Sequence, residues 1–360
     1  MEQIADIPFF FVVGRPRSGT TLLRTLFDAH PNISFPPECQ FIVNLYPKYG
    51  KLVEWNSKLL TEFYNDVTSQ WLFDTWKIDN DKLKKRLLLF EGNHSYGTIC
   101  KAVYLEYNSL FEKDAIKFIG DKNPGYAIYT KLLLKIFPEA KFIHILRDYR
   151  DNFVSIKNVD FELPIPSLVV QKWKYFYRKF QKDSKSKPDS YYLLNYEKLA
   201  RNPEKEYAYL CEFVGISYNE SVFDFHKKKD DILKEYPTGY IKTYHTSLLQ
   251  KVNTSKIGVW KKQLSKKQIR IMDQTAGRIA EESGYEREYR GTNLWYSILA
   301  FPGRAYAAML YVATKIVDTF PYKIRTAILI KGPLFLAKVY LSIFNRKKYK
   351  ELSSVIIKKK

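Results

Sequence analysis

Gly14-Arg15-Pro16-Arg17-Ser18-Gly19-Thr20-Thr21 has the residue types and spacing to hold a phosphate-like anion. Glycine at both ends allows positive φ and leaves backbone N–H groups free to converge on the anion. The spacing G-x-x-x-x-G-T-T is that of a phosphate-binding loop with one change. An ATP or GTP loop carries Lys before its Ser/Thr; here Thr20 stands in that place, and the nearest cations are Arg15 and Arg17. Such a loop is poorly equipped for a triphosphate. Arg147 and Ser155 are a second candidate: eight residues separate them, about two helical turns, so both can reach one anion. Lys122, in Asp121-Lys122-Asn123-Pro124, can neutralise charge developing on a leaving phosphate, or it is an exposed turn lysine. Glu38, in Pro36-Pro37-Glu38-Cys39, lines a ligand crevice or faces solvent.

These residues need a scaffold. Phe9 to Val13 is an apolar, β-branched run suited to a parallel strand buried on both faces. Leu22, Leu23, Leu26 and Phe27 then give a helix an apolar face and point its positive end at the loop. Further strands are expected at Ile33–Phe35, Ile116–Gly120, Lys141–Leu146 and Tyr191–Leu194, with helices at 41–115, 129–137 and 204–214 between and after them. A helix carrying Trp173 is expected after Ser167, with a polar link at 183–188, and a Ser265/Gln268 capping box opens one running to Ser283. The order implies an α/β fold with three layers: a central parallel sheet flanked by helices. Residues just past the ends of such strands line the ligand crevice, which is where Glu38 falls.

At this point Arg15-Pro16-Arg17-Ser18-Gly19-Thr20-Thr21 resembles the 5′-phosphosulfate loop of sulfotransferases that use 3′-phosphoadenosine 5′-phosphosulfate (PAPS), in a branch with tyrosylprotein and bacterial members. In that branch a D-A-H-P stretch, here Asp28-Ala29-His30-Pro31, is followed by a Glu that acts as catalytic base, which matches Glu38. The resemblance implies that Arg15, Arg17, Ser18, Gly19, Thr20 and Thr21 hold the 5′-phosphosulfate, with Arg17 also catalytic, and that Lys122 is the catalytic lysine of a Lys-x-Pro turn. It further implies that Arg147 and Ser155 bind the 3′-phosphate and that Tyr196 approaches the nucleotide. Gly258, Trp260 and Lys261 match a G-x-W-K segment that closes over it, and Ser255 a nearby Ser that assists the transferring group. The interval from Ser255 to Trp260 is longer than in the tyrosylprotein branch. No metal is implied. The resemblance covers residues 8 to 288, most strongly at 14–38 and 121–155. His94 is the alternative base, and His144, inside a strand, is read as core.

The 360 residues suffice for a sizeable core, and 16% aromatic content with 28 Tyr marks a folded chain. Three scattered cysteines, Cys39, Cys100 and Cys211, indicate neither a disulfide framework nor a zinc site. The start MEQIADIPFF has no basic segment leading into an apolar one, so a cytoplasmic enzyme is expected. A net charge of +21 calls for an anionic partner. Residues 226–251, basic and without clear period, are read as a lid over a phosphate site or a solvated loop. Residues 1–290 are expected to form the sulfotransferase domain and 291–360 a helical extension with 13 Lys/Arg against Asp318 and Glu351. Gly303, Pro321, Gly332 and Pro333 are expected to divide that extension into short helices, which either lie in an anionic membrane surface or pack on protein. The function expected is sulfuryl transfer from PAPS to a hydroxyl, of a sterol or other lipid alcohol, a glycan or a protein tyrosine. A homodimer is compatible with this, and no nucleic-acid partner is expected, since a basic adaptor leaves the paired phosphate motifs unexplained. The reading from another class is a P-loop small-molecule kinase, which would need the missing loop Lys and a magnesium-holding acid.

Overall fold

Phe9–Gly14 forms β1, and every one of its residues is buried. Successive strand residues point to opposite faces, so burial of all of them requires cover on both sides of the sheet. In this computed structural model, which describes residues 2–235, 246–317, 320, 324, 327–347 and 349–350, β1 is the centre of a five-stranded sheet. Its order is β2-β5-β1-β6-β7, with β2 at Ile33–Ser34, β5 at Phe118–Lys122, β6 at Lys141–Leu146 and β7 at Tyr191–Asn195. β1 runs parallel to β5 and β6, and β2 parallel to β5. From β1 the chain builds one side through β2 and β5 and then crosses to β6 and β7. The carboxyl end of β1 is therefore a topological switch point, where open α/β sheets take their ligands. A separate antiparallel ladder pairs β3 (Glu54–Trp55) with β4 (Gly92–Asn93).

The chain divides into two compact units. Of the described residues, the first comprises 2–145, 182–235 and 246–252, and the second comprises 146–181 and those from 253 onward.

Aromatic packing dominates the first unit. Phe9 stacks on Phe11 and on Phe137 at centroid distances of 4.7 and 4.4 Å, and Phe11 stacks on Phe142 at 5.2 Å. The helix Thr20–Asp28 lies against β1 and β5. β5 begins two residues later than its apolar run suggests and includes Asp121 and Lys122, because both are buried with partners that local sequence does not show. The helix begun at Pro166 runs to Ser186 instead of yielding to a polar link at 183; Asp183 is buried and accepts a hydrogen bond from Thr130 Oγ1 at 2.5 Å. Of the expected lid, 236–245 lie outside the described residues. The rest makes helical turns (Glu220–Lys228, Lys229–Glu235, Thr246–Leu249), held by burial of Phe225, Ile232 and Leu248.

In the second unit the capping box at Ser265 and Gln268 opens the helix Lys266–Ala276. It stops at Gly277, whose φ of +58° is unfavourable for a side chain, and only a further turn at Ile279–Glu282 follows, so the expected continuous helix to Ser283 is not formed. The helix Leu294–Val317 passes unbroken through Pro302 and Gly303, correcting the expected division there. Gly303 serves close approach: a Cβ on it would lie 2.2 Å from Ser167 Oγ and 2.7 Å from the Leu168 nitrogen. The same helix packs along Lys266–Ala276, and Tyr311 stacks on Tyr175 at 4.9 Å. A short π-helical turn, Ala327–Lys331, precedes the helix Gly332–Phe344. Pro321, Lys323, Arg325 and the tail 351–360 lie outside the described residues. Among the described residues no helix is long and apolar enough to cross a membrane.

Candidate active site

The phosphate loop of the first unit leaves the switch point directly. Gly14 has φ +143°, and a Cβ there would sit 2.4 Å from the carbonyl oxygen of Ile145 on the neighbouring strand. Gly19 has φ +98°, and its Cβ would sit 2.5 Å from Cδ2 of Tyr196, so the Tyr196 ring closes directly on the loop. Arg17 adopts φ +68°, an uncommon conformation for a residue with a side chain and one that concentrates at functional loops. Ser18, Arg15 and Thr20 are buried, Arg17 is half-buried, and Thr20 and Thr21 open the helix whose positive end completes the cradle.

Lys122 stands at the end of β5, in register with Val12 on β1. Its ammonium pairs with Glu38 Oε1 and donates to Thr21 Oγ1 at 3.3 Å. One cation therefore joins the candidate base to the loop. The Lys122 side chain is 5% exposed and that of Glu38 33%, so the carboxylate faces the open side of the pair. Burial lowers the Lys122 pKa from its ordinary value, with the charge of Glu38 opposing. Behind it, Asp121 accepts hydrogen bonds from Tyr104 Oη and from Asn123 Nδ2, the latter at 2.9 Å; burial pushes its pKa up to about 7 against those bonds.

Glu38 is presented by a segment held at alternate carbonyls. Arg24 Nε donates to the Phe35 oxygen at 3.0 Å, Trp76 Nε1 to the Pro37 oxygen at 2.9 Å and Asn123 Nδ2 to the Cys39 oxygen at 3.2 Å. The Phe35 ring also rests on β5, where a Cβ at Gly120 would fall 2.2 Å from it. Arg24, Trp76 and Asn123 are positioning residues that motif reasoning missed. No local signal marks them, since each acts on a carbonyl far away in sequence. His94 follows β4, with its carbonyl accepting from Trp55 Nε1 and its ring edge-on to Phe90 at 5.2 Å. His144 is buried, and burial pushes its pKa down to about 3, so its imidazole is neutral.

The second unit carries the other residues expected to bind an anion. Arg147 is buried; its guanidinium donates to the Lys256 carbonyl at 2.6 Å and its own carbonyl accepts from Trp173 Nε1 at 3.0 Å. Asp148 caps the helix Tyr149–Ile156 and takes a bidentate pair from Arg150 at 3.0 and 2.8 Å. Ser155 is half-buried in the last turn of that helix. Asp151, from the same helix, accepts the backbone N–H of Gly258 at 2.6 Å and of Trp260 at 2.9 Å, while the Arg150 guanidinium lies 3.9 Å from the Trp260 ring centroid. Asp151 and Arg150 thus pin the G-x-W segment to the helix that bears Ser155, a role spacing alone did not reveal. Burial raises the Asp151 pKa against these two bonds. Lys261 is exposed beside Trp260, and Ser255 is exposed in a turn where its N–H donates to Asn253 Oδ1 at 3.0 Å. Among the described residues no cluster of His, Cys, Asp or Glu could hold a metal ion.

A parallel sheet whose central strand runs into a glycine-bounded loop, followed by a helix, defines a P-loop-like fold. The absence of the triphosphate lysine narrows the class, and the comparison with known families completes it: the model described as "Sulfotransferase family" matches residues 8–220, and the chain belongs to that family. A putative protein-tyrosine sulfotransferase of Caenorhabditis briggsae is 21% identical over 74% of this chain and 85% of its own length. Protein-tyrosine sulfotransferase 1 of Danio rerio is 26% identical over 60% of this chain and 56% of its own. An omega-hydroxy-beta-dihydromenaquinone-9 sulfotransferase of Mycobacterium tuberculosis is 26% identical over 79% of this chain and 76% of its own. The chain spans about half the length of the fly, zebrafish and chicken relatives. A sulfotransferase domain from the Synechococcus PCC 7002 olefin synthase aligns with a TM-score of 0.49 at 19% identity, over 72% of this chain and 89% of that one.

Proposed function

We propose that this sulfotransferase takes its sulfuryl group from PAPS and transfers it to an acceptor hydroxyl, with Glu38 as base. The observation that carries the reading is the Lys122 ammonium shared between Glu38 and Thr21 of the phosphate loop. The loop suits a phosphosulfate: its amides and Arg17 offer donors, and its glycines leave no room for a Cβ at Gly14 or Gly19. Arg147 and Ser155 take the 3′-phosphate, the group that distinguishes this donor from ATP. Tyr196, Gly258, Trp260 and Lys261 contact the nucleotide.

In the reaction the acceptor oxygen attacks sulfur, the bond from sulfur to the bridging phosphate oxygen breaks, and the electron pair leaves with the 3′,5′-bisphosphate (PAP). The acceptor proton passes to Glu38. Lys122 offsets the charge that grows on the bridging oxygen. As the ammonium turns to that oxygen it releases Glu38, which leaves the carboxylate open to the acceptor hydroxyl. Ser255 is assigned the family role of assisting the transferring group.

The test is transfer of label from 35S-PAPS to a panel holding a lipid alcohol, a tyrosine peptide, a glycan and a simple phenol, with γ-32P-ATP run in parallel. Sulfated product from at least one acceptor is expected. Transfer from ATP alone would overturn the reading.

A further inference from the structure

Among the described residues, the C-terminal helices of the second unit expose a large apolar surface. On Leu294–Val317 the buried side is Ala300, Gly303, Ala307 and Val317. The opposite side repeats at helical spacing through Leu294, Ile298, Phe301, Met309, Val312 and Ile316, all exposed, with Phe301 at 65%. The helix Gly332–Phe344 repeats the pattern: Ala337 and Leu341 are buried, while Phe335, Leu336, Val339, Ile343 and Phe344 are exposed. Rows of this extent exceed the scattered surface apolar residues of a soluble protein and mark a binding face.

Charge identifies the occupant. Arg304 and Lys315 are exposed on the first helix, and Lys331, Arg346 and Lys347 are exposed around the second. Neither helix contains Asp or Glu. A protein interface is depleted of Lys at its core. An isologous contact between two copies would set this basic face against itself. Basic side chains along the edge of an apolar stripe instead suit a bilayer surface, where the rings and aliphatic groups enter the acyl boundary and Lys and Arg reach anionic headgroups. Trp295, 62% exposed at the start of the first helix, suits the same boundary.

We infer that the exposed faces of Leu294–Val317 and Gly332–Phe344 dock this chain on an anionic membrane, without crossing it. The acceptor is then an amphiphilic alcohol carried in that membrane, an extension that rests on the sulfotransferase reading above.

The test is flotation of the full chain with vesicles of phosphatidylglycerol and phosphatidylcholine, against phosphatidylcholine alone, with no nucleotide present. Binding to the anionic vesicles is expected at about 50 mM salt and a several-fold loss at about 500 mM, where screening shortens the reach of the charges. The double variant Ile298→Ser, Phe301→Ser changes only exposed positions; it is expected to melt like the parent and to lose most of the binding. Should it melt early, Arg304→Glu with Lys315→Glu gives the same loss through charge. Full chain that stays in solution with both vesicle types overturns docking, as does a soluble dimer that the serine variant dissociates. For the acceptor, a long-chain alcohol in the vesicles should be sulfated several-fold more slowly by the serine variant, with a soluble acceptor unaffected. Equal rates on the vesicle alcohol refute the acceptor class. Flotation without any sulfuryl transfer supports docking and refutes the activity, so the two failures are separable.

Discussion

The two candidate anion-binding regions differ in what their charged side chains bond to. In the first unit the charged pair Glu38 and Lys122 is held side chain to side chain, while Arg24, Trp76 and Asn123 tie down the oxygens of Phe35, Pro37 and Cys39 around it. In the second unit a charged side chain is the anchor, and Asp151 spends both oxygens on the N–H groups of Gly258 and Trp260. On the proposed mechanism, the group that changes partners is held by another side chain, whereas the group that only shapes a binding wall is held by the main chain. Substitutions should divide accordingly, acting on turnover in the first region and on nucleotide affinity in the second.

The largest effect is expected at Lys122. Lys122→Ala removes the cation that offsets leaving-group charge, and kcat should fall by roughly 10²- to 10³-fold. Single-turnover measurements with PAPS check this; an unchanged chemical step would mean that the lysine is only structural. Next, Arg147→Ala should weaken PAP binding about 10- to 100-fold, as loss of a charge-assisted contact does. Adenosine 5′-phosphosulfate, which has no 3′-phosphate, should bind almost as before. Equal losses in calorimetry for both nucleotides would place Arg147 elsewhere in the scheme. Asp151→Asn should cost about 10-fold in PAP affinity, because one of two backbone donors loses a charged acceptor. Its kcat at saturating donor should hold; a fall in kcat without a change in affinity would break the contrast between the regions.

The smallest effect is on stability. Burial raises the Asp121 pKa from 3.8 to about 7, so over that interval the folded chain holds a proton the unfolded chain has released. Its contribution to stability is therefore complete below about 3.8 and is lost as pH rises through about 7. Asp121→Asn keeps an oxygen for the Tyr104 hydroxyl and cannot ionise. The Tm of this variant relative to the parent should rise between pH 5 and pH 8; a pH-independent difference would show that Asp121 stays charged throughout.

What the sequence made legible follows from how local each signal is. The glycine loop, its strand and its helix are consecutive, so Gly14 to Thr21 could be placed from spacing alone, and the family resemblance extended this to Glu38 and Lys122. β5 was misplaced by two residues because burial of Asp121 and Lys122 depends on Tyr104 and Glu38, far away in the chain. Gly303 was read as a helix breaker because its reason, contact with Ser167 and Leu168, is likewise remote. Arg24, Trp76 and Asn123 escaped notice for the same cause: each acts on a distant main-chain oxygen, and such an acceptor leaves no mark on residue type.

The most direct measurement compares Glu38→Gln with the parent in two readouts, kcat with PAPS and a working acceptor, and the Kd of PAP. Removal of a general base that touches neither phosphate should lower kcat by roughly 10²-fold or more and leave Kd within about twofold. Near-parental kcat would contradict the assignment of Glu38 as base, and a parallel loss of PAP affinity would show that the Lys122–Glu38 pair shapes the donor site and takes no part in proton transfer.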